Sequence, residues 1–138
     1  MGTSNDTDLS VLIERIACVS RLLDHQLWEA AIDLSLDKSS ASGRRFARLI
    51  EDGALLEAAV LLVGLCRPSR SIASIAMSGS TWISIIQARA ANGHGWARAY
   101  QAKHSDLAAA VLMALLSSQP NRSWTTGSAN ASSPDCRA

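Results

Sequence analysis

The chain has 138 residues, enough for one domain with a single modest core. Hydrophobic residues make up 48% and charged residues 18%, a globular balance that excludes a disordered polymer, and a formal net charge of +1 gives no global field favouring nucleic acid or anionic membranes. Aromatics are only 4%, so the core must be built from Leu, Ile, Val and Ala.

The charge is uneven. The first 37 residues hold seven acids against Arg15 and Arg21. Residues 38–70 carry six bases against three acids, and residues 71–104 contain bases but no acid. An acidic N-terminal helix packed near a basic middle is the internal complementarity this suggests. Three cysteines, Cys18, Cys66 and Cys136, are far apart and odd in number. Cys18 and Cys66 sit in apolar helical patterns, where a buried thiol acts as a small hydrophobe, so no disulfide framework is expected and a reducing cytoplasm is the expected location. "MGTSNDTD" lacks the features of a signal peptide, and the longest apolar run, 58–66, is too short to span a bilayer.

Residues 1–6 read as a frayed end. Thr7 or Asp8 caps a helix in which Leu9, Leu12, Ile13, Ile16, Val19 and Leu23 recur at helical spacing. "DHQLWEAAIDLSLD" continues in helical style, with a break near Asp24 left open. "KSSASG" is a connector, and Ser42 caps the next helix, which carries Phe46, Leu49 and Ile50. Gly53 interrupts, and "ALLEAAVLLVGLC" follows until Pro68 stops it. "RLLDHQLWEAAIDL" and "RLIEDGALLEAAVLL" echo each other with one residue inserted. Two similar amphipathic helices, whose Ala pairs permit close helix approach, account for the echo better than a solenoid repeat does.

"SIASIAMSGSTWISII" is different. Its β-branched residues alternate around "SGST", the signal of a β-hairpin spanning about 71–87. A two-residue loop, Gly79-Ser80, sets Met77 against Trp82 and Ile75 against Ser84. A three-residue loop sets Ile75 against Ile83 and Ser74 against Ser84. The second is preferred, because it gathers isoleucines on one face and serines on the other, and the one-residue slip between them exchanges the buried face. "NGHG" reads as a loop within the mixed segment 88–103. Ser105 or Asp106 then caps a last helix, "DLAAAVLMALLSS". Residues 119–138 read as a disordered tail.

"FARLIEDGALLEAAVLLV", "SGSTW" and "W…A…HSDLAAAVLMALL" together resemble a group of short proteins from rhizobial-type alphaproteobacteria. The resemblance covers roughly residues 46–117. It implies a bacterial, cytoplasmic origin; that group has no assigned activity, so no residue inherits a role from it.

Candidate site residues are few. His94 and His104 with Asp106 are the candidates for a small enzyme, but their spacing matches no metal framework or nucleophile motif, and a solvated loop, with His104 a loop residue before the last helix, is the simpler expectation. Arg44, Arg45 and Arg48, with Arg67 and Arg70 beyond, form a basic cluster suited to phosphates, while Arg48 is also within helix-pairing range of Glu51 and Asp52. Trp82 and Trp96 are candidate partner-binding anchors, with core filling as the competing role for Trp28 and Trp82. The expectation is therefore a small α+β domain over 7–118, mostly helical, with one two-stranded hairpin resting its Ile-rich face on helices. Its expected role is a non-enzymatic protein-interaction or regulatory module without cofactor or metal. Its expected partner is another protein or a second copy, met at a sheet edge.

Overall fold

The computed structural model describes residues 5–66, 70–89 and 96–119. The expected "NGHG" loop with His94, the Arg67–Pro68 stop and nearly all of the expected tail lie outside them. Five helices and a three-stranded antiparallel sheet make up the described residues, an α+β fold. No helix among them is long and apolar enough to cross a membrane.

Helix α1 spans Asn5–Ala17, so Thr7 and Asp8 lie inside it rather than capping it. Leu9, Leu12 and Ile16 are buried along one stripe, as their spacing requires. The chain does break near Asp24: residues 18–23 are non-helical and α2 runs Asp24–Asp33. The buried Gln26 side chain accepts the Leu23 backbone N–H at 3.1 Å and fixes the start of α2. Helix α2 ends in a Schellman turn, with Leu36 N–H donating to Ala31 O and Ser35 N–H to Ile32 O, and Ser35 holds φ at 68°.

Helix α3 is Ala41–Glu51. Its cap is Ser40, not Ser42: the Ser40 hydroxyl accepts from Gly43 N at 2.9 Å. Helix α4, Leu55–Leu65, follows the break at Gly53 and stops ahead of Pro68. The sequence echo maps onto α2 and α4, which pack together, and both of its Ala pairs, Ala30–Ala31 and Ala58–Ala59, are buried.

Strands β1 (Arg70–Ser78) and β2 (Thr81–Arg89) form the expected hairpin. A third strand, β3 (Trp96–His104), pairs with β2 and gives the order β1-β2-β3, where only two strands were expected. Helix α5, Leu107–Ser117, carries no charge and eight buried residues. A helix apolar all round must be enclosed. It lies between one sheet face, against β2 and β3, and helices α1 and α4 on its other side.

The hairpin register corrects the preferred one. Met77 faces Trp82 and Ile75 faces Ser84 across a two-residue loop. Gly79 has φ +65° and Ser80 does not take a positive φ, the type II′ pattern that matches strand twist. A bulge between Ile72 and Ser74 then shifts the pairing by one, so Ile72 faces Ile86. The three-residue register thus holds only at the base of the hairpin. The buried face of β2 is Ser84, Ile86 and Ala88; Ile83 and Ile85 are half-buried on the opposite face. Ser84 ends up fully enclosed, with its hydroxyl lacking any hydrogen-bond partner.

Candidate functional site

Both ring nitrogens of His104 are hydrogen-bonded to backbone. His104 closes β3 at 7% exposure. Its Nε2 lies 2.9 Å from the Ile16 carbonyl, and its Nδ1 accepts the Asp106 backbone N–H at 2.9 Å. A carbonyl can only accept and an amide can only donate, so Nε2 carries the proton and Nδ1 does not. Asp106 stands at the N-cap position of α5 without capping it by side chain. Its Oδ2 instead accepts the Leu22 N–H at 2.8 Å. His104 and Asp106 therefore clasp the end of α1 and the α1–α2 connection to the β3–α5 turn. Both ring nitrogens are engaged with backbone, which leaves none to exchange a proton with a substrate. His94 lies outside the described residues. Among the described residues, no group of His, Cys, Asp and Glu is placed to hold a metal.

The basic cluster is divided. Arg44, Arg45 and Arg48 are all exposed on α3, opposite buried Phe46 and Ile50. Among the described residues none makes an ion pair; the pairing expected of Arg48 with Glu51 and Asp52 does not form. Arg44 reaches the Ser39 carbonyl at 3.3 Å. Arg70 leaves the cluster: it is buried, and its guanidinium donates to the Ser118 hydroxyl at 2.9 Å and the Ser118 carbonyl at 2.5 Å, just past the end of α5. Cations are favoured at that end of a helix. Within the acidic N-terminal segment itself, Arg15 bridges to Glu29 at 2.7 Å.

Of the cysteines, Cys66 is a buried thiol, as expected. Cys18 is exposed just past α1 and disulfide-bonded, contrary to expectation, which removes the support that cysteine usage gave to a reducing compartment. Cys66 also borders a shallow pocket of about 240 Å³ with Leu34, Ser35, Leu62 and Leu65. Asp37 on its rim has a carboxyl held below its ordinary range by the Ser39 hydroxyl and then the Ser39 backbone N–H. That volume is below the range of ordinary ligand sites.

The tryptophans differ in role. Trp28 meets Phe46 edge-on, with ring centroids 5.0 Å apart, and Lys38 Nζ lies 5.1 Å from the Trp28 ring, so it joins α2 to α3. Trp96 opens β3, and its side chain lies outside the described structure. Trp82 is half-buried near the hairpin tip, between Met77 on β1 and His104 on β3.

Around Trp82 lies a sheet edge whose residues Ile75 and Met77 the sequence did not single out. Every β1 residue from Ala73 to Ser78 is exposed, including Ile75 at 40% and Met77 at 52%. The two-residue loop makes Ser78 and Thr81 a hydrogen-bonded pair. Alternation then turns the N–H and C=O groups of Met77 and Ile75 outward from the sheet. Apolar side chains and unpaired backbone polarity thus coincide on one edge. The signal in the sequence is the absence of any charged residue from Ser71 to Ala88.

Comparison with protein-family models, with curated proteins and with solved structures finds no match to this chain.

Proposed function

We propose that the protein is a non-enzymatic interaction module that binds a partner along the β1 edge, with Ile75, Met77 and Trp82 as its apolar contacts. The observation that carries this reading is an edge strand that is uncharged from Ser71 to Ser78 and exposes the large apolar side chains of Ile75 and Met77. Sheet edges are ordinarily blunted by charge, proline or cover, and β1 has no charge between Ser71 and Ser78, no proline and no helix over its outer half. β-strand addition draws affinity from such a backbone edge and specificity from alternate side chains. The engagement of both His104 nitrogens by backbone weighs against the enzymatic alternative.

The test uses tagged full-length chain, wild type and Met77→Lys, to recover partners from host-cell lysate with and without nuclease. The expected result is a stoichiometric protein that survives nuclease and disappears with Met77→Lys. Capture that is indifferent to Met77→Lys overturns the assignment of the surface.

A second reading rests on the exposed, unpaired Arg44, Arg45 and Arg48: an anionic chain, such as nucleic acid, held on α3. Binding that weakens steeply with salt and vanishes when all three become alanine is its expected signature. No binding at low salt ends it.

A further inference from the structure

Resting on the interaction reading above, we infer that the occupant of the β1 edge is a second copy of this chain, paired antiparallel through β1 itself. The two edges of the sheet differ in charge. β3 exposes Arg98 and Lys103, so two β3 edges brought together carry only like charges. β1 carries no charge from Ser71 onward, and its one arginine, Arg70, is turned inward to Ser118. An uncharged strand offers no attraction to a charged peptide and no repulsion to its own copy.

A two-fold contact must also be self-complementary. With Ala76 on the axis, Ile75 faces Met77 of the second copy and Met77 faces its Ile75. These are the residues whose backbone groups point outward, so each opposed pair exchanges both of its N–H···O=C bonds. Opposed residues of an antiparallel pair share a face. Ile75 and Met77 of both copies therefore meet in one apolar strip, with Trp82 of each copy at its ends. The two three-stranded sheets become one continuous sheet. The bulge between Ile72 and Ser74 bends the strand and limits the pairing to its outer half. The contact is small, so it is concentration-dependent.

Sedimentation equilibrium of the full chain from about 1 to about 100 µM tests this. Wild type is expected to move from the monomer mass toward twice that mass. Met77→Lys and Ile75→Lys, placed at exposed positions, are expected to remain monomeric with an unchanged far-ultraviolet circular dichroism spectrum. Val60→Lys, at an exposed site on α4, is expected to dimerise as wild type does. A wild type that stays monomeric throughout, or a dimer that survives both β1 substitutions, overturns the inference. A monomeric wild type whose captured partner is still lost with Met77→Lys overturns only the identity of the occupant. Monomer and no Met77-dependent capture together overturn the interaction reading as well.

Discussion

Ser84→Ala should make the protein more stable. The side chain is 0% exposed on the sheet face beneath α5, opposite Ile75 and Ala102, and its hydroxyl has no partner. Enclosing a hydroxyl without a hydrogen bond costs about 1–3 kcal/mol relative to water. Removing the oxygen gives up a handful of dispersion contacts at about 0.1–0.2 kcal/mol each. The net expectation is a gain of about 1 kcal/mol, which for a chain of this size raises Tm by roughly 4 °C. Urea unfolding checks it: the midpoint should rise with the slope unchanged. A lower midpoint would falsify the enclosure of an unpartnered hydroxyl. Lysine substitutions on the two faces of β2 test which one is buried. Ser84→Lys buries a charge and should abolish folding, whereas Ile83→Lys, half-exposed on the open face, should cost roughly 1–2 kcal/mol. The opposite ranking would restore the three-residue-loop register.

Gly43→Ala should destabilise by about 1–3 kcal/mol although alanine favours helices, because the new Cβ would stand 2.7 Å from the Lys38 Cα backbone atom; thermal unfolding reads the sign. His104→Ala should cost about 2–4 kcal/mol by leaving the Ile16 carbonyl and Asp106 amide unpaired. In a denaturation cycle with Asp106→Ala the two losses should be non-additive; strict additivity would mean no clasp. Asp37 has its folded-state carboxyl pKa lowered from 3.8, so its small contribution to stability is complete above that value and disappears as pH falls through the lower folded pKa. Ser39→Ala should return the NMR-measured titration of Asp37 toward 3.8, and an unmoved titration would exclude the Ser39 bonds as the cause.

The helices were legible where one-sided burial leaves a periodic trace. Leu9, Leu12 and Ile16 show it in α1, and the apolar run of α5 read as a last helix, although its enclosed place between sheet and helices was not foreseen. The paired Ala motifs of α2 and α4 foretold close packing. β3 was not legible, because alanine is a poor strand former and occupies Ala97, Ala99 and Ala102. Only β2 beside it reveals the alternation of buried Ala102 and His104 with exposed Gln101 and Lys103. The register failed for a different reason. A bulge lets one hairpin use both registers in turn, and no local pattern marks a bulge at Ala73. Trp82 could be singled out as a candidate from residue type alone. The edge formed by Ile75 and Met77 was not, since an edge is a property of strand order.

The most direct test of the β1 edge is residue-resolved amide hydrogen exchange of the unmodified chain at several concentrations. Ala76 is bonded across to β2 and should be protected at every concentration. Ile75 and Met77 should exchange rapidly in dilute solution and slow progressively as concentration rises, the result expected of β1 pairing with its copy. Rapid exchange at Ile75 and Met77 that does not change with concentration would contradict it.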